Sequence, residues 1–107
     1  MADDMAGVSD AFKAFLTEAP QHAQAWMAAV QALGGASALD EKTGDLAYIA
    51  VLAALRLESG VPFHVQAAKR AGATRQEVIS AVLIGLPAVG NAVTQSLPAA
   101  LAAYDAE

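Results

Sequence analysis

The chain has 107 residues, of which 56% are hydrophobic and 16% charged, and 6 basic against 11 acidic residues give it a net charge of -5. This length predicts one domain, residues 1–107, near the size at which a monomer struggles to bury enough surface. A net negative charge does not attract nucleic acid or an anionic membrane surface, so we expect neither as a partner. Because the chain has no cysteine, disulfides and thiol chemistry are excluded.

The apolar share exceeds that of an average soluble domain, and we expect part of the surplus to face other subunits. The opening residues MADDMAGVSD lack the basic and apolar regions of a signal peptide. The apolar stretch after Ile79 is interrupted by Gly85, Pro87, Gly90 and Pro98, which argues against a membrane span. A cytoplasmic location is therefore expected.

Helical periodicity and turn residues predict an all-α fold, a compact bundle of about six helices with no strands. Pro20 suits the first turn of the second helix, and Gly34-Gly35 is expected to end it. Asp40 is a predicted N-cap, Gly72 a predicted C-cap, and Thr74 to Glu77 a capping box. The predicted helices cover residues 9–18, 20–33, 40–57, 62–71, 74–86 and 91–104.

The third predicted helix is hydrophobic on every side from Leu46 to Leu55. A globular protein tolerates such a helix only where other protein surrounds it. We therefore expect it to be the central helix of the bundle.

His64 is the first candidate functional residue, because the polar stripe of its helix, formed by Gln66, Lys69 and Arg70, lies almost opposite to it. The imidazole should point inward toward the third helix. Histidine titrates near neutral pH, so His64 is either an acid/base group or a hydrogen-bonded core residue. His22 is expected on the surface of the second helix.

Three charged residues near the third helix are further candidates. Asp45 precedes ten apolar or aromatic residues, and it either belongs to a site or stabilises the helix dipole. Arg56 and Glu58 flank the end of the third helix, where Arg56 binds either a substrate carboxylate or the last carbonyls of the helix. For both residues the structural role is favoured. Two distant histidines and scattered carboxylates match no metal-ligand spacing, so no metal is expected.

Five other residues are expected to fill core or interface gaps: Met1, Met5, Met27, Trp26 and Phe12.

Three segments resemble the carboxymuconolactone decarboxylase family, which includes the alkylhydroperoxidase D branch. They are Lys42-Thr43-Gly44-Asp45-Leu46, then Leu57 to His64 (LESGVPFH), and Ala71 to Val78 (AGATRQEV). The resemblance covers roughly residues 38–105. It implies an all-helical fold that assembles as a homotrimer or homohexamer, acting on a small molecule without a cofactor.

In the peroxidase branch a C-x-x-C-x-x-x-H segment supplies a redox disulfide, while the histidine and an upstream glutamate relay protons. The cysteine positions fall on Leu57 and Gly60, the histidine on His64 and the relay carboxylate on Asp45. Because the thiolate is the nucleophile, the resemblance excludes peroxide reduction by the family mechanism. Only the proton-relay half of the constellation is kept.

The lactone decarboxylase branch lacks the cysteines and keeps an acidic residue upstream of the histidine, as Glu58 stands here. This resemblance implies that His64 delivers a proton to carbon, while Asp45 or Glu58 sets its tautomer and Arg56 holds a carboxylate. The stretch from Gly60 to Phe63 replaces more polar residues of that branch, so the pocket should be more apolar.

Three functional hypotheses remain open. The first is a cofactor-free enzyme, a decarboxylase-like lyase that transfers a proton on an acidic or lactone substrate with His64, Asp45 and Glu58. The second is a non-catalytic binding or scaffold member of the same family, with His64 satisfied in the core. The third is redox partnership through an external thiol.

Overall fold

The computed structural model describes residues 7–106, so the predicted gap-fillers Met1 and Met5 lie outside the described residues. Every regular element in this range is helical, which confirms the all-α prediction. Two short 3-10 segments, Glu58–Gly60 and Gly90–Ser96, separate some of the α-helices. The helices are α1 (Asp10–Glu18), α2 (Pro20–Ala36), α3 (Glu41–Ala54), α4 (Val61–Arg70), α5 (Arg75–Leu83), α6 (Leu86–Val89) and α7 (Leu97–Asp105).

The predicted helix starts are confirmed by their caps. The Asp40 side chain accepts the Thr43 N–H at 2.8 Å at the start of α3. At the start of α5, the Thr74 hydroxyl accepts the Glu77 N–H at 3.0 Å, and the Glu77 carboxylate accepts the Thr74 N–H at 2.9 Å. These bonds satisfy donors that a helix N-terminus otherwise leaves unpaired.

Helices α3 and α4 end in the same hydrogen-bonded motif. After α4, Gly72 adopts φ +100°, and the N–H of Ala73 donates to the Ala68 carbonyl at 2.9 Å. After α3, Arg56 takes the equivalent place with φ +61°, and the N–H of Leu57 donates to the Leu52 carbonyl at 2.9 Å. Both are Schellman motifs, in which one residue must be left-handed. The α3 helix therefore ends before the predicted residue 57.

Two predicted boundaries are wrong. Gly34-Gly35 does not end α2, because glycine costs a helix only about 1 kcal/mol and the chain turns extended only at Ser37. The predicted sixth helix, 91–104, is divided: residues Gly90–Ser96 form a 3-10 helix, and α7 begins at Leu97 with Pro98 in its first turn. Proline supports that start because its missing N–H needs no partner there.

The core is built around α3, which packs against α4 and α5, while α7 packs against α4 and α5 from the other side. Ile49 is its largest fully buried side chain, and most other buried residues are alanine or valine. Within one chain α3 buries only one face, because Tyr48 and Val51 are 49% and 51% exposed. The expectation of a central helix is met, but its complete enclosure would need protein outside this chain.

The run Arg75–Asp105 is long and apolar enough to cross a membrane by length and composition. The structure divides it into α5, α6, a 3-10 segment and α7, with a sharp turn at Gly90, where φ is +81°. Nine residues of α-helix span only about 14 Å, less than half of a bilayer core. Both α5 and α7 contribute buried residues to the protein core, and 17% of the most apolar window in the run is buried.

Candidate active site

The aromatic side chains are absent from the fully buried core, although large aromatic groups usually contribute strongly to it. Four of the six line a single pocket of about 360 Å3. They are Phe12, Trp26, Tyr48 and Phe63, and His64 lies beside them. The remaining wall is formed by Gly7, Val8, Ser9, Met27, Val30 and Gly60.

The segment before α1 and helices α1 to α4 position this wall. The segment before α1 runs against the start of α4, where a Cβ on Gly7 would lie 3.2 Å from the Phe63 nitrogen. That closeness and the φ of +81° at Gly7 require glycine. Helices α1 and α2 pack on each other and supply Phe12 and Trp26. Helix α3 supplies Tyr48 from its partly exposed face.

His64 lies in the first turns of α4 and is half-buried. Its ring centroid is 4.4 Å from that of Tyr48, with a 52° tilt, and 5.2 Å from that of Phe63, in an edge-to-face arrangement. The predicted inward direction toward the third helix is therefore confirmed by its contact with Tyr48. Burial lowers the pKa of His64 below its ordinary value of 6.5, so the imidazole is neutral at pH 7.

Asp45 lies on α3, about one turn before Tyr48. Its Oδ2 atom is buried without a hydrogen-bond partner, and no hydrogen bond among residues 7–106 joins it to His64. Burial is the main cause that raises the pKa of Asp45, Glu41 adds to this, and Arg70 opposes it. Asp45, the predicted relay partner, therefore lies about one turn from Tyr48 on α3 but is not hydrogen-bonded to the His64 imidazole.

Replacing Asp45 by asparagine is expected to raise the melting temperature at pH 7 and to leave it nearly unchanged at pH 3. Because the folded-state pKa of Asp45 is raised, the folded protein favours the protonated form, and it loses stability as the pH rises above the unfolded value of 3.8. Thermal unfolding of Asp45→Asn and wild type at the two pH values measures the difference.

Asp40→Asn is the matched control for this comparison, because hydrogen bonds from Thr43 lower the pKa of Asp40 and its ionised form supports the fold. That variant should gain nothing at pH 7. A loss of stability in Asp45→Asn at pH 7 would contradict the assignment, since it would mean that the Asp45 carboxylate has a favourable partner.

Arg56 and Glu58 lie outside the pocket wall. The Nη2 of Arg56 donates to Oε1 of Gln95 at 2.6 Å, and its Nε lies 3.5 Å from Oε2 of Glu58. The guanidinium thus links the end of α3 to the 3-10 segment before α7. The structure therefore groups Arg56 with Glu58, and it places only His64 of the four predicted site residues on the pocket.

Sequence reasoning missed the aromatic wall. It expected Phe12, Trp26 and Met27 to fill core or interface gaps, whereas all three line the pocket. The available signal was the distribution of aromatic residues, four of which fall in segments that helix packing brings around His64.

Outside the pocket, His22 is exposed on α2 as predicted. No group of three or more potential metal ligands occurs among residues 7–106.

The fold and the pocket define a small helical protein with one neutral histidine on an aromatic wall. A profile of the carboxymuconolactone decarboxylase family matches residues 20–103. The chain therefore belongs to this family, as its sequence motifs indicated. Neither a search of curated proteins nor a search of solved structures finds a significant match.

Proposed function

We propose that this protein is a cofactor-free enzyme in which His64 transfers a proton to or from a carbon atom of a small organic molecule. The observation that carries the proposal is the placement of a neutral imidazole on the wall of a 360 Å3 pocket. Pockets of this size hold small ligands, and a neutral histidine can act as a base. Family membership supports a decarboxylase-like role.

The proposed step takes a proton from the carbon next to a carbonyl group. The C–H bond breaks, the proton passes to the free nitrogen of His64, and the electron pair moves to the carbonyl oxygen to give an enolate. Return of the proton to carbon, at the same or another position, restores the neutral imidazole. In a decarboxylation the enolate would instead form by loss of carbon dioxide, and protonated His64 would supply the proton.

The first test follows the exchange of carbon-bound hydrogen for deuterium in small ketones and lactones by NMR. We expect the protein to accelerate exchange over buffer, and we expect the rate to rise with pH and level off. Because burial lowers the pKa of His64, the midpoint should lie below 6.5. Absence of acceleration over the whole panel, or a midpoint above 6.5, would count against His64 as the base.

A non-catalytic binding or scaffold role is the alternative, and one observation favours it. Neither Asp45 nor Glu58 is hydrogen-bonded to His64 in the described part of the chain, so no carboxylate orients the imidazole. Under this alternative the pocket would bind the same ligands without exchange. The third hypothesis, redox partnership with an external thiol, predicts peroxide consumption when a dithiol is added.

We propose that the protein assembles as a homotrimer or homohexamer. Support comes from the outer face of α3, where Ala47, Tyr48, Val51 and Leu55 are all exposed without a charged residue among them. Exposed apolar faces of this extent are typical of surfaces covered by another subunit. The nearby groove between α3 and α5 has an apolar part that includes Ala50 and Ile84 and a polar part that includes Lys42 and Glu77.

Val51→Glu is expected to shift the protein to a smaller species in sedimentation velocity, because it places a carboxylate at the centre of this face. The control is Gln21→Glu, which adds the same charge at an exposed polar position of α2. Wild-type protein that sediments as a monomer would contradict the assembly itself. If the wild type is an oligomer and Val51→Glu does not dissociate it, the interface lies on another face of the protein.

A further inference from the structure

Among residues 7–106, no charged side chain lines the pocket around His64. All six lysine and arginine residues of the chain lie within the described range, and none contributes to the wall. Arg56, the predicted carboxylate binder, is engaged with Gln95 and Glu58. Within one chain the wall therefore offers no fixed positive charge to an anion.

The polar groups of the wall are few and uncharged. Side chains that carry a polar hydrogen are His64, Tyr48, Trp26 and Ser9, and the Ser9 oxygen also accepts the Phe12 N–H at 3.1 Å. An anion entering this pocket would lose water without gaining a counter-charge, which is unfavourable. The net charge of -5 adds a repulsive background.

The shape of the wall favours a ring. Phe12, Trp26, Tyr48 and Phe63 surround the space with aromatic faces and edges, which pack well against flat molecules. A pocket of about 360 Å3 lies at the lower end of the range of small-ligand pockets. This corresponds to one ring with a short substituent.

We infer that the His64 pocket takes an uncharged cyclic molecule, aromatic or alicyclic, with one carbonyl or hydroxyl oxygen that hydrogen-bonds to the imidazole, and that it rejects carboxylates of the same shape. The inference rests on the proposed function for the role of His64 and deepens it by naming the substrate class. It favours proton transfer on ketones or neutral lactones over decarboxylation of an acid.

A matched pair of ligands tests the charge preference. The methyl ketone 4-phenyl-2-butanone and the carboxylate 3-phenylpropanoate have nearly the same size and shape and differ in charge. Trp26 is the single tryptophan and lies on the wall, so its fluorescence reports occupancy, and calorimetry gives the affinities. We expect the ketone to bind at least tenfold more tightly at pH 7.5.

A cation introduced into the wall should reverse this preference. Val30 is 40% exposed and lines the pocket, so Val30→Arg can be accommodated and should strengthen binding of 3-phenylpropanoate at least tenfold. Leu33→Arg is the control, because Leu33 is 69% exposed on the same helix and does not line the pocket. Circular dichroism verifies that both variants keep the helical fold.

Equal or tighter binding of the carboxylate by wild type would overturn the inference, and so would the absence of binding of both molecules at millimolar concentration. Unchanged carboxylate affinity in folded Val30→Arg would also overturn it, since the ligand would then bind elsewhere. These binding results are independent of turnover. If the protein binds the ketone selectively but catalyses no hydrogen exchange, the proposed proton transfer is wrong and the ligand class stands. If it prefers the carboxylate and catalyses exchange, the ligand class is wrong and the proposed proton transfer stands.

Discussion

His64→Gln is expected to lower the rate of carbon–hydrogen exchange by a factor of roughly 100 to 10,000, the usual contribution of a positioned acid/base group. Glutamine approximates the size of the imidazole and can still form hydrogen bonds, but it cannot take up a proton near neutral pH. Because His64 is only half-buried, the free energy of unfolding should change by less than about 1 kcal/mol. NMR exchange rates and urea unfolding measure the two quantities.

His22→Gln provides the matched control, because it makes the same substitution at the only other histidine, which is exposed on α2. It should keep the wild-type exchange rate. Tyr48→Phe retains the ring that contacts His64 and removes only the hydroxyl, so it tests whether that hydroxyl has a role of its own. Wild-type exchange in His64→Gln would rule out His64 as the proton carrier and leave the binding role as the better account.

Ile49→Ala is expected to lower the free energy of unfolding by about 2 to 5 kcal/mol, the usual cost of such a truncation in a core. Ile49 is fully buried on α3, between the helices that pack on both sides of it. The rest of the core is formed largely by alanine and valine, which have little freedom to fill the cavity. Urea unfolding followed by circular dichroism gives the change.

Leu33→Ala is the control for the core prediction. Leu33 is 69% exposed, so its truncation should change the stability by less than about 0.5 kcal/mol. A cost below about 1 kcal/mol for Ile49→Ala would contradict the central position of α3. Both variants leave the pocket wall intact, so neither should alter ligand preference.

Local sequence signals predicted most of the helical framework. The capping box at Thr74, the N-cap at Asp40 and the left-handed turn at Gly72 each depend on neighbouring residues alone, and all three are confirmed. Arg56 was not identified as a helix end, because a non-glycine residue in the left-handed conformation costs about 1 to 3 kcal/mol and composition does not reveal it. Its bond to Gln95 depends on a segment 39 residues away.

The candidate site was likewise predictable only in part, because some of its contacts join segments that are far apart in the sequence. The helical stripe of α4 was enough to direct His64 inward, and Tyr48 meets it there. By contrast, the contributions of Phe12 and Trp26 depend on how the α1–α2 hairpin lies against α4, which periodicity does not specify. The relation of Asp45 to His64 likewise depends on the register of two helices, and a shift of one turn separates a hydrogen-bonded pair from two independent residues.

The family match begins at residue 20, yet Val8, Ser9 and Phe12 line the pocket from before that point. Part of the pocket wall therefore lies before the segment that the family profile matches, while Trp26, Val30 and His64 lie within it. An exchange of residues 7–19 between homologues would change part of the pocket wall and leave the His64 helix unchanged. In evolutionary terms, variation confined to this amino-terminal segment would offer a route to change the ligands of the pocket while the proposed proton carrier stays the same.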